Sequence, residues 1–344
     1  MSATTNKTVI ELSKKGSRLF RKGDYEAARA TYIEAREIDA ENLYVLSGLG
    51  DVYRKLCDFV KSAECYDAVL KLDPKNVFAL RGAGDARRGQ QHPDKAVPFW
   101  LRYLEINPRD SHVMVRVADA FYKMNRTDDA IDFYQQALEV RPHDAFALMG
   151  MGNVYYAQHD DVNALRCFEE LMKHNDTHNV VVMTMLGNIY RRRKEYDRAM
   201  DQYKHALELD PQNNFALFGM GDCYRGKLDL NQAVFWWDKI LEREPENQAL
   251  WTRVGDALVN LDRHDDAIMH YESSLKSGHD LYALLGLARV RVKTADLAQA
   301  MKHCEQALAH DREHPRVLEE MAKLHELAGD SAAAASCRAR IKAD

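Results

Sequence analysis

The stretch Phe215-Ala-Leu-Phe-Gly-Met-Gly-Asp-Cys-Tyr-Arg225 decides the fold, because it returns in altered form along nearly the whole chain. Tyr44-Val-Leu-Ser-Gly-Leu-Gly-Asp-Val-Tyr-Arg54 is one copy, and Phe78-Ala-Leu-Arg-Gly-Ala-Gly-Asp-Ala-Arg-Arg88 and Phe146-Ala-Leu-Met-Gly-Met-Gly-Asn-Val-Tyr-Tyr156 are two more. With Gly221 taken as position 8 of its repeat, a small residue fills that position at Gly16, Gly50, Gly84, Ala118, Gly152, Gly187, Gly221, Gly255, Ala288 and Ala322. The step is 34 residues, save one of 35 into Gly187 and one of 33 into Ala288. A second small residue stands at position 20, from Ala28 and Ser62 through to Ala334. A large side chain follows at position 24 in most repeats: Tyr32, Tyr66, Trp100, Tyr134, Phe168, Tyr203, Trp237 and Tyr271. A period sustained this long makes a one-dimensional solenoid, in which each repeat is stabilised by its neighbours.

Within a repeat, apolar residues recur at helical spacing in both halves, as in Leu217, Met220, Gly221 and Tyr224, so each repeat is expected to be a pair of packed helices. Glycine inside a helix costs about 1 kcal/mol against alanine, so its recurrence at position 8 needs a packing reason. Small residues at positions 8 and 20 let the two helices approach closely, and the ring at position 24 fills the space between neighbours. Turn signals such as Gly23-Asp24, Cys57-Asp58 and Leu228-Asp229 separate the helices, and Asp229 with Gln232 reads as a capping box. Pro74, Pro108, Pro142, Pro211 and Pro245 close several repeats. Pro98 is tolerable in its helix only if that helix starts near Asp94. Looser joints are expected at the insertion, Lys173–Asn179, and at the deletion, Lys276–Asp280.

The composition excludes several classes. Of 344 residues, 46% are hydrophobic and 29% charged, the balance of an ordered soluble protein. The net charge of -5 argues against nucleic acid as a partner, and no apolar run suits membrane insertion. The N-terminus carries no secretory h-region, so the expected location is cytoplasmic. Cys57, Cys65, Cys167, Cys223, Cys304 and Cys337 form no zinc spacing and are expected to be free thiols. Signatures of phosphate-binding loops, zinc proteases and serine hydrolases are missing, so no enzyme activity and no cofactor are expected. His174 with His178, and His310 with His314, have the spacing of two ligands on one helix face, but they fall at repeat junctions with no clear third ligand, so no metal site is expected.

On these ten in-phase repeats the chain resembles the tetratricopeptide repeat (TPR) family over about residues 9–344. The resemblance implies an all-α fold, a right-handed superhelical solenoid of antiparallel helix pairs, with the first helix of each pair lining a concave groove. Repeats are expected to start near residues 9, 43, 77, 111, 145, 180, 214, 248, 281 and 315, with residues 1–8 disordered and the last helix acting as a cap. It also implies a non-enzymatic scaffold or adaptor that binds an extended segment of another protein. A regulatory or targeting subunit of a separately encoded enzyme is one alternative, and a self-assembling structural protein, a homo-oligomer formed through the terminal repeats, is another.

The family's groove-facing positions single out candidate residues. Position 9 reads Asp51, Asp85, Asp119, Asn153, Asn188, Asp222 and Asp256. Such a row can hydrogen-bond a peptide backbone, or it can be a surface paired with itself, since Arg54, Arg88, Arg191 and Arg225 stand three residues further on. Aromatic anchors are expected from Tyr44, Phe78, Phe146, Phe215 and Tyr282 at position 2 and from Tyr122 and Tyr156 at position 12, with core packing as the competing role. Lys55, Arg81, Arg116, Lys123, Arg192 and Arg253 make the groove mixed in sign. The pattern that lets some TPR proteins grip a C-terminal carboxylate does not fit, because Arg116 stands where asparagine is needed and Phe146 and Gly150 where basic residues are needed.

Overall fold

The computed structural model describes the backbone of residues 3–174 and 179–341. Twenty helices and no strand occur among the described residues, and they divide between two compact bodies, residues 1–177 and 178–344. The first body holds α1 (Ala3–Arg21), α2 (Tyr25–Ile38), α3 (Leu43–Lys55), α4 (Phe59–Leu72), α5 (Val77–Gly89), α6 (Pro93–Ile106), α7 (Ser111–Lys123), α8 (Thr127–Val140), α9 (Ala145–Ala157) and α10 (Asp161–His174). The second holds α11 (Val180–Arg192), α12 (Tyr196–Leu209), α13 (Asn214–Gly226), α14 (Leu230–Leu241), α15 (Gln248–Asn260), α16 (His264–Lys276), α17 (Leu281–Lys293), α18 (Leu297–His310), α19 (Pro315–Leu327) and α20 (Ser331–Ile341). Within each body every odd-numbered helix packs on the even-numbered helix that follows, and neighbouring pairs stack on one another. The fold is an all-α solenoid of helix pairs. α1 takes in residues 3–8, which the sequence alone leaves outside the repeats.

Local chemistry fixes where the helices begin and end. The residue before each first helix from α3 to α17 is Asn or Asp: Asn42, Asn76, Asp110, Asp144, Asn179, Asn213, Asn247 and Asp280. Each side chain accepts a backbone N–H of the first turn, satisfying a donor that has no partner within the helix. The turn inside each pair puts one residue in the left-handed region. Only the first and last repeats use glycine there (Gly23 and Gly329), while Cys57, Gln91, Asn125, His159, Lys194, Leu228, Asp262 and Ala295 adopt the same backbone. Asp229 then caps α14 by accepting from the Gln232 N–H at 3.1 Å.

Two irregular spots show how local chemistry accommodates them. α6 starts at Pro93, next to Asp94 as expected, yet Pro98 is its sixth residue, past the N–H groups that need no partner, and removes one helical hydrogen bond. Asp94, whose carbonyl loses that bond, is exposed, so water can reach it. At the deletion, hydrogen bonds span the junction. Asp280 accepts hydrogen bonds from Thr252 Oγ1 at 2.7 Å and Ser274 Oγ at 2.6 Å as well as capping α17. Of the insertion, residues 175–178 lie outside the described residues. All six cysteines are free thiols, and only Cys57 is exposed.

Candidate functional site

The ring at position 24 organises each repeat. Tyr66 is buried between Gly50 of its own repeat and Gly82 of the next, and a Cβ on Gly50 would stand 2.7 Å from the ring. At the equivalent positions Tyr32 sits between Gly16 and Gly48, Tyr203 between Gly187 and Gly219, and Tyr271 between Gly255 and Gly286, and Tyr134 meets Gly150. The sequence reading gave position 8 this packing role but missed position 6, the second glycine. The signal was present, because Gly48, Gly82, Gly150, Gly219 and Gly286 each follow a repeat whose ring is tyrosine. After Trp100 and Trp237, position 6 of the next repeat is Arg116 or Arg253 instead.

That alternation decides what happens to the position-9 row. In tyrosine repeats the buried hydroxyl donates to it: Tyr66 to Asp51 (2.9 Å), Tyr134 to Asp119 (2.5 Å), Tyr203 to Asn188 (2.7 Å) and Tyr271 to Asp256 (2.7 Å). Burial, with the facing carboxylate, pushes the phenols of Tyr66, Tyr134 and Tyr271 far above their ordinary value, so they remain donors. Tryptophan has no hydroxyl to offer, and there the carboxylate takes the arginine of the next repeat. Arg116 Nη1 reaches Asp85 at 3.0 and 3.2 Å. Asp222 receives Arg253 at 2.7 Å, Arg191 at 2.5 Å and Arg225 at 3.3 Å. Phe168 also lacks a hydroxyl, and Oδ1 of Asn153 is left buried without a partner.

Of the expected pairs three residues apart, Asp51–Arg54 (3.0 Å) and Asp222–Arg225 form. Asp85 instead binds Arg116, and Arg88 lies over the Trp100 ring. Arg191 crosses to Asp222 in the next repeat, a contact the spacing of residues within one helix could not reveal. Asp85 and Asp222 are buried, Asp51, Asp119, Asn153 and Asn188 half-buried, and Asp256 exposed. The two tryptophan repeats thus carry a buried carboxylate among several guanidiniums. Around Asp222 three arginines face one aspartate, leaving positive charge in excess. Burial pulls Arg116 below its ordinary value, with Asp85 opposing this and Arg88 and Arg81 adding repulsion.

The position-2 rings stand clear of this core. Tyr44 is 83% exposed, Phe78 69%, Phe146 73%, Phe215 73% and Tyr282 59%. Tyr122 and Tyr156 at position 12 are half-buried. In the first body, Tyr44, Asp51 and Phe78 line one depression of about 800 Å³. In the second, Arg225, Arg253, Asp256 and Tyr282 line another of about 1140 Å³. Each depression therefore joins exposed rings to polar residues of the first helices.

A cluster outside these positions was not found from the sequence. His143, Glu170 and His174 meet at the end of α10, with all three ligand atoms within 4.8 Å of one another. His143 and His174 lie far apart in the chain, so no local motif marks them. Among the described residues no helix is long and apolar enough to cross a membrane.

Family models described as tetratricopeptide repeat match residues 43–76, 144–212 and 283–316, and a TPR repeat model matches 16–56 and 118–158. No curated protein matched the chain. Among solved structures, that titled "Functional Characterization of Pseudomonas Aeruginosa pilF" aligns with a TM-score of 0.52 at 16% identity, over 62% of this chain and 96% of its own. "Crystal structure of YrrB: a TPR protein with an unusual peptide-binding site" aligns at 0.49 and 22% identity over 54% and 95%. The yeast Tom70 structure covers 96% of this chain and 91% of its own at a TM-score of 0.40 and 16% identity. With its tandem helix pairs and the family models matched along it, the chain belongs to the tetratricopeptide repeat family, whose repeats are protein-interaction modules.

Proposed function

We propose that the protein is a non-enzymatic scaffold that binds an extended segment of a partner protein along the faces of its odd-numbered helices. The row of exposed rings at position 2 carries this reading. Tyr44, Phe78, Phe146, Phe215 and Tyr282 stand in register on their helices, while the residue after each is buried. Exposed apolar surface that recurs in register is surface a partner can cover, at roughly 25 cal/mol per Å² removed from water. The arginines around Asp85 and Asp222 favour a segment that also carries acidic groups. The position-9 row contributes less than its regularity suggests, because Asp51, Asp119, Asn188 and Asp256 already accept a tyrosine hydroxyl.

The test is capture from lysate of the source cell by the wild type and by Phe78→Ala/Phe146→Ala/Phe215→Ala, followed by mass spectrometry. These side chains are exposed, so helicity and melting should not change. A protein held by the wild type and reduced about tenfold or more with the variant is the expected result, since an anchoring aromatic contributes upwards of about 1 kcal/mol. Equal capture by both would remove the rings from the binding surface.

A further inference from the structure

Two histidine pairs stack at equivalent places in the solenoid, four repeats apart. His143, two residues before α9, lies 3.8 Å centroid to centroid from His174, the last residue of α10, with the rings 17° from parallel. His279, two residues before α17, lies 3.7 Å from His310, the last residue of α18, at 26°. The pairs differ in the residue one helical turn before the second histidine. Beside the first pair it is Glu170, whose Oε1 stands 3.2 Å from His143 Nδ1 and 3.0 Å from His174 Nε2. Beside the second it is Gln306, whose amide oxygen faces His303 instead.

We propose that His143, Glu170 and His174 form a surface site for a divalent transition metal, of which zinc suits the donor set best. Two imidazoles and a carboxylate are a recognised set for zinc, which holds such donors at about 2.0–2.2 Å in a tetrahedron. Donors around such an ion lie roughly 3.4 Å apart, close to the two separations seen here. The nearly parallel rings must turn for their lone pairs to converge, and with 51% of His143 and 32% of His174 exposed they have room to do so. Water would complete the coordination from the open side. Glu139 and Arg166 line the same cleft and offset one another in charge, so Glu170 supplies the uncompensated negative charge that a cation needs. The ion would tie the loop before α9 to the last turn of α10, cross-linking the end of one repeat to the end of the next. The second pair has the same stacked rings without a carboxylate, and serves as an internal control.

Zinc titration of the full chain by calorimetry tests this, in a Cys57→Ser background that removes the one exposed thiol. One equivalent of zinc should bind, with a rise in melting temperature. Glu170→Gln, which copies the chemistry of the second pair, and His143→Ala should each weaken binding about tenfold or more. His279→Ala should leave it unchanged. The substituted side chains are not core residues, so metal-free melting should match in all variants and separates loss of binding from loss of fold. Absence of saturable binding, retention of full affinity in Glu170→Gln, or loss in His279→Ala would overturn the proposal.

Discussion

Removing one hydroxyl asks whether the position-9 row is held by the fold. In Tyr134→Phe the ring, 1% exposed, keeps its place against Gly150, and only the 2.5 Å bond to Asp119 is lost. A hydrogen bond to a charged group contributes about 1.5–3 kcal/mol when its partner stays buried. Asp119 is half-buried and regains some water, so the expected loss is about 1–2 kcal/mol. Adding Asp119→Asn should recover roughly half of it, because a neutral amide is less costly to leave unpaired than a carboxylate. Repeat 5 already uses this combination, with Phe168 and Asn153 at the same two positions. The assay is urea denaturation followed by circular dichroism. Amide exchange in α8 and α9 should be read alongside, since a long repeat array need not unfold in one step. A loss under about 0.3 kcal/mol, or a double variant no more stable than Tyr134→Phe, would refute the view that tyrosine and aspartate form a structural pair.

Two further outcomes follow from the turns and junctions. Leu228 is 85% exposed with φ at 64°, a backbone that costs a non-glycine residue about 1–2 kcal/mol, partly offset by the greater chain entropy of glycine. Leu228→Gly should therefore stabilise the second body by about 0.5–1 kcal/mol, read as a higher denaturation midpoint; a lower midpoint would show that the leucine side chain contributes more than its backbone costs. Burial raises the Asp280 carboxyl, but hydrogen bonds from Ser274, Thr252 and the Ala283 and Tyr282 N–H groups outweigh it and hold the group below its ordinary value. Its contribution is then present above the unfolded value of about 3.9 and is lost as pH falls through the lower folded value, so the melting-temperature gap between wild type and Asp280→Asn should be wider at pH 6 than at pH 3. A gap that does not change with pH would count against the carboxylate as the source.

The sequence by itself determined the architecture. A period of 34 residues, small residues at positions 8 and 20 and a ring at position 24 are local spacings, and helical geometry turns them directly into a stack of packed pairs. The aromatic residues at position 2 were legible for the same reason, since their place on the helix follows from the period. What each side chain touches outside its own helix was decided only by tertiary structure. The choice of Asp222 by Arg191 and Arg253, of Asp119 by Tyr134, and of Glu170 by His143 joins residues 15 to 31 positions apart. Such contacts depend on how one repeat sits on the next and on whether the ring between them is tyrosine, tryptophan or phenylalanine. A hydroxyl donates to position 9, an indole leaves that carboxylate to an arginine, and a phenyl ring leaves the Asn153 amide oxygen without a partner. One motif thus repeats along the chain while its polar partners change.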